Sequence, residues 1–113
     1  MSVFDTHSLK GVEKLEIGYY CFKNVTRFVI DGLNELKSVT IGKRSFDVDE
    51  NMRIGSKCVI MNCDQLSEIH FGDHSFFWYE SFELKNLPSL ISIQLGKGAF
   101  CVCHWIVFDS MHD

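Results

Sequence analysis

The densest cluster of reactive side chains in this 113-residue sequence is Cys101-x-Cys103-His104, which together with His74 offers the thiolate and imidazole donors that zinc takes in a tetrahedral site. Structural zinc sites are built from two separated Cys or His pairs, and this sequence has one cluster with no matching pair. Those residues therefore read as ordinary surface or core side chains, and neither metal nor cofactor is expected. Hydrolysis of a polysaccharide would need two carboxylates facing one bond, but Asp47, Asp49 and Glu50 crowd one polar stretch while Asp73 stands apart. No nucleophile-elbow or phosphate-loop spacing occurs, so the expectation is a chain without catalysis. Adhesive chemistry has better material. Phe77, Trp78 and Tyr79 are consecutive, and Val102 and Trp105 follow about one repeat later. Contiguous exposed aromatics mark contact sites, so these five residues are the expected partner-binding set.

The composition narrows the partner. Lys plus Arg number 11 against 15 Asp plus Glu, and a net charge of −4 offers no broad basic field for nucleic acid or anionic lipid. No apolar run approaches the roughly 20 residues that span a bilayer, and the first residues show no charged and apolar leader, so membrane insertion is not expected. Five cysteines in no CxxC pair fit reduced thiols and a cytoplasmic setting. A glycosylation sequon, Asn24-Val25-Thr26, would matter if the chain were part of a secreted parent at the cell surface. With 46% hydrophobic residues, 10 Phe and 1 Pro, the chain is expected to form one domain of buried, β-rich packing.

The elements that must position these side chains announce themselves as a repeat. Leu15-Glu16-Ile17-Gly18-Tyr19-Tyr20-Cys21-Phe22 has the form apolar, any, apolar, Gly, two variable, small, Phe. The same form recurs around Gly42 and Phe46, Gly72 and Phe76, and Gly96 and Phe100, at spacings of 24, 30 and 24 residues. The extra six residues fall in the polar stretch 47–57. Upstream stand Leu9 and Val12, Leu33 and Leu36, Cys63 and Leu66, and Leu87 and Leu90. Downstream, Phe28-Val29-Ile30, Cys58-Val59-Ile60, Phe82-Glu83-Leu84 and Ile106-Val107-Phe108 alternate with the period of a strand.

Two short strands per repeat cannot bury an apolar face alone but can do so when copies stack. The sequence thus predicts a mainly β fold, a short parallel β-solenoid of about four coils with a leucine-rich-repeat-like core and two parallel sheets. The repeats run over 9–32, 33–62, 63–86 and 87–110, with 1–8 as a partial N-terminal cap or a preceding coil. The repeated Gly is expected to take a positive φ at a sharp turn. Gly32, Asn62, Asn86 and Ser110 mark the opposite corner.

The four Gly-x-x-small-Phe units with an apolar pair upstream resemble the BspA-like branch of leucine-rich repeats, whose short unit reads Ile-Gly-x-x-Ala-Phe. The likeness spans about residues 9–111. It departs in lacking both the Ile-Pro element of that branch and the Leu-x-Leu-x-x-Asn strand of ordinary leucine-rich repeats. The resemblance implies a protein-recognition or adhesion scaffold with no shared catalytic residues and another protein as its partner. Repeat arrays bury their ends under polar caps. The sequence stops at Met111-His112-Asp113, where Met111 takes the first leucine position of a fifth coil, so association of copies through the C-terminal coil is the alternative expectation.

Overall fold

Each repeat places two β-favouring runs about a dozen residues apart, and each run becomes a strand in the computed structural model. The structure describes residues 3–4, for their backbone, and 9–109. The strands are β1 (Val3–Phe4), β2 (Lys14–Ile17), β3 (Arg27–Asp31), β4 (Ser38–Ile41), β5 (Lys57–Met61), β6 (Glu68–Phe71), β7 (Ser81–Lys85), β8 (Ser92–Leu95) and β9 (Trp105–Asp109). Even-numbered strands form a four-stranded sheet and odd-numbered strands a five-stranded one. All pairs are parallel, and each chain turn gives one strand to each sheet. The architecture is a short parallel β-solenoid.

Register follows the repeat residue for residue. Ile17, Ile41, Phe71 and Leu95 form one inward column of the even sheet. Phe28, Cys58, Phe82 and Ile106 form a facing column of the odd sheet, with Ile30, Ile60, Leu84 and Phe108 beside it. The pairs Leu33 and Leu36, Cys63 and Leu66, and Leu87 and Leu90 are buried at the corner that leads into the even sheet. The extra residues of the second repeat loop out before β5 and contain a single 3-10 turn, Glu50–Met52. The proposed cap at 1–8 lies outside the described residues apart from β1, which pairs with β3. Ser110 and Met111 also lie outside them.

The repeated Phe is the spine of the core. Phe22, Phe46, Phe76 and Phe100 stack nearly parallel, one per coil, with ring centroids 5.2, 4.6 and 4.9 Å apart. Each of them adopts a positive φ, between 53° and 58°. A left-handed backbone costs a residue with a Cβ about 1–2 kcal/mol. Burying a phenylalanine side chain contributes about 1.5–3 kcal/mol, and each ring pair adds about 0.5–1.5 kcal/mol, so packing wins at the interior coils.

The glycines correct the sequence expectation. Positive φ falls on Tyr20, Arg44, His74 and Gly98, two residues after each repeated Gly, and the repeated glycines themselves are not left-handed. What Gly42, Gly72 and Gly96 supply is room. A Cβ on Gly42 would lie 2.5 Å from the carbonyl carbon and oxygen of Gly18, one on Gly72 2.6 Å from the Lys43 nitrogen, and one on Gly96 2.5 Å from the Asp73 nitrogen. Adjacent coils approach so closely here that the amide N–H of Gly42 donates to the Ile17 carbonyl at 2.7 Å.

The small residue before Phe serves the same corner. Ser45 Oγ donates to the Gly18 carbonyl at 2.7 Å and accepts the Cys21 amide at 3.2 Å, and Ser75 Oγ donates to the Gly72 carbonyl at 2.7 Å. At the opposite corner Asn86 Nδ2 donates to Asn62 Oδ1 and Asn62 Nδ2 donates to Asp31 Oδ1, both at 2.9 Å. These asparagines therefore bond side chain to side chain as well as turning the chain.

Candidate functional site

The five expected contact residues do not form one surface. Tyr79 is fully buried, its ring edge-on to Phe46 and Phe76, and its hydroxyl donates to the Val25 carbonyl at 2.5 Å. It belongs to the core, which corrects its assignment to the edge. The physical reason is that its phenol finds a buried acceptor two coils away, so the ring is inserted without leaving a polar group unpaired. Phe77 and Trp78 are half-buried, with rings edge-to-face at 5.2 Å, and Trp78 packs on the core cluster. They line a depression of about 280 Å³ shared with Arg44, Asp47 and His74. Val102 is half-buried beneath them, its amide N–H donating to the Phe77 carbonyl at 3.4 Å. Trp105 is exposed at the start of β9, where it pairs with Ser81.

Trp105 has company outside the five-residue contact set, on the C-terminal coil that the sequence marked for association of copies. All of β9 is exposed, including Ile106, Val107 and Phe108. Ile106 and Phe108 continue columns in which Phe28, Cys58, Phe82, Ile30, Ile60 and Leu84 are buried. The even sheet shows the same change: Ile41 and Phe71 are 1% and 2% exposed, and Leu95 is 42% exposed. Apolar side chains of two sheets thus lie open together at the last described coil, beside an odd-sheet edge whose one described neighbour is β7.

The cysteines divide by depth. Cys58 and Cys63 are buried in core columns, and loss of hydration pushes both thiols above their ordinary range. Burial raises Cys103 as well, and its thiol donates to the Trp105 and Glu80 carbonyls. Cys101 is exposed. His104 Nε2 lies 3.3 Å from Arg53 Nη1 on the inserted loop, and the His74 ring rests against Phe77. Among the described residues no three His, Cys, Asp or Glu side chains converge as metal ligands. No helix among them is long and apolar enough to cross a membrane.

A second concavity runs across the coils on the even sheet. This groove of about 470 Å³ has the repeated glycines as its floor. The outward residues Thr40, His70 and Gln94 stand along one side in a single register column. Tyr19, Lys43 and Asp73 stand along the other. The two-residue alternation of the strands puts Thr40, His70 and Gln94 on the outward face of this sheet. The glycine column beside them was the signal of a trough.

No protein-family model, curated protein or solved structure matches this chain.

Proposed function

We propose that this chain is a noncatalytic protein-interaction module built on leucine-rich-like repeats, with its contact surface on the last described coil. The supporting observation is the exposure of Trp105, Ile106, Val107 and Phe108 on one edge strand next to Leu95. Contiguous apolar surface of this kind marks interaction sites, and a strand edge with one described neighbour can receive a partner's strand through main-chain bonds. The partner is a protein segment that supplies a strand and an apolar side chain for each open column. The five free cysteines support a reducing setting.

Selection of strand-forming peptides from a displayed library on the immobilised chain tests the reading. Recovered peptides are expected to bind Phe108→Glu and Trp105→Ser variants at least 10-fold more weakly, with circular dichroism unchanged. That corresponds to loss of about 1.4 kcal/mol or more, within the range for one uncovered apolar side chain. Binders indifferent to both substitutions would overturn it. A second reading, assembly of copies, is favoured by one observation: the uncovered residues occupy the columns through which every coil accepts the next. Light scattering over a concentration series would then show a rising mass that Phe108→Glu abolishes.

A further inference from the structure

We infer that the glycine-floored groove on the even sheet is a binding site for an extended, uncharged oligosaccharide lying along the solenoid axis. The argument starts from the floor. Gly42, Gly72 and Gly96 bring adjacent coils into backbone contact and leave no side chain between the two flanking columns, so the trough is continuous from coil to coil. At its first end the Tyr19 ring leans over Gly42, where a Cβ would lie 2.7 Å from Cδ1. This phenol is 67% exposed and presents apolar ring surface with a polar tip.

The wall chemistry selects the ligand class. Thr40, His70 and Gln94 present a hydroxyl, an imidazole and a carboxamide, one per coil, groups that both donate and accept hydrogen bonds. Among the lining residues Lys43 and Asp73 offset one another, while Glu16 continues the Thr40 column into the first coil and Glu68 Oε1 lies 3.4 Å from His70 Nε2. Lys43 Nζ sits 5.7 Å from the Tyr19 ring centroid, and the Asp73 carboxylate accepts the Lys97 amide N–H at 2.9 Å. A lining of mixed donors and acceptors with offsetting charges suits hydroxyl groups and gives a polyanion no advantage.

Spacing separates a sugar chain from a peptide. The wall groups repeat at the distance between strands, about 4.8 Å, close to the advance of one pyranose unit in an extended chain, and although alternate units are turned over, each carries hydroxyl groups on both edges. A peptide strand repeats its side chains on one face at about 6.8 Å and falls out of step within two coils. The strands of this sheet run across the groove, so a peptide in it would find no open edge to pair with.

The test is titration of the full chain, followed by amide chemical shifts, with neutral di- to hexasaccharides derived from cellulose, xylan, mannan, starch and chitin. At least one series is expected to bind saturably, with affinity rising to about the tetrasaccharide and then levelling, because the lining spans three inter-coil steps of about 4.8 Å. Thr40→Val and Gln94→Leu, which keep shape and remove hydrogen bonding, should each weaken it at least fivefold at unchanged melting temperature. Phe108→Glu, on the other surface, should leave it unaltered, so failure here is distinct from failure of the protein-interaction reading. Absence of binding across the panel at millimolar concentrations, binding by both groove variants as tight as the parent's, or tighter binding of heparin fragments or oligoglutamate would overturn the inference.

Discussion

A methyl group placed on Gly42 meets backbone, which cannot swing aside as a side-chain tip can. Its nearest neighbours would be the Gly18 carbonyl carbon and oxygen, each at 2.5 Å. Overpacking of this kind costs about 1–3 kcal/mol, so Gly42→Ala should lower the urea midpoint clearly. Gly18 occupies the same repeat position, yet among the described residues a methyl there meets nothing closer than Cys21 Sγ at 3.8 Å. Gly18→Ala should stay within about 0.5 kcal/mol of the parent. Equal losses at both sites would mean that glycine is needed for its backbone freedom, as the sequence alone suggested. The sequence could not separate the two causes, because close approach and a left-handed turn leave the same mark, a periodic Gly. The left-handed positions two residues after each repeated Gly were illegible for a related reason: they carry Tyr20, Arg44 and His74, and among these four only Gly98 has the residue type that would betray it. Tyr79 was hidden differently. Three consecutive aromatics in a turn have no period to say which one points inward, and the acceptor that draws Tyr79 in belongs to Val25, 54 residues earlier.

Strands and columns were legible because both sheets use one register, and a two-residue alternation repeated at a fixed spacing leaves few ways to stack. The phenylalanine ladder shows how that register becomes stability. Phe76 is fully buried and stacked on both Phe46 and Phe100, while Phe22 stacks on Phe46 and is 41% exposed. Phe76→Ala should cost about 3–5 kcal/mol, a sizeable part of the total for a domain this small. Phe22→Ala has less buried surface to lose and should cost less than half as much. Phe76→Leu, which keeps most of the volume and loses the stacking, should fall between them. Urea unfolding of the three variants checks the order; an equal cost at positions 22 and 76 would show that the ladder is not the element holding the coils together. The candidate contact edge was only partly legible, since a list of aromatic residues does not reveal that Phe77 and Trp78 line a depression while Trp105 stands free of it.

Across the whole molecule, burial sets how the fold responds to alkali. Desolvation raises the thiols of Cys58 and Cys63 above their ordinary value of 9.0, and it raises the Tyr79 phenol as well. The folded chain therefore holds protons that the unfolded chain releases. For groups raised in this direction the stabilising contribution is complete below the unfolded value and declines as pH rises beyond it. Stability should be level from pH 7 to about 8.5 and fall above about 9, each retained proton adding a slope of about 1.4 kcal/mol per pH unit. Cys58→Ala gives up some packing at every pH but removes one such proton, so its stability curve should be lower near neutrality and shallower in alkali. Thiol labelling supplies an independent reading, because Cys101 is exposed and should react in the folded state while Cys58 waits for unfolding. If Cys58 labels as fast as Cys101 and the alkaline slope is unchanged by its removal, the interior between the two sheets is open to water, and the columns that define this solenoid are not packed as described.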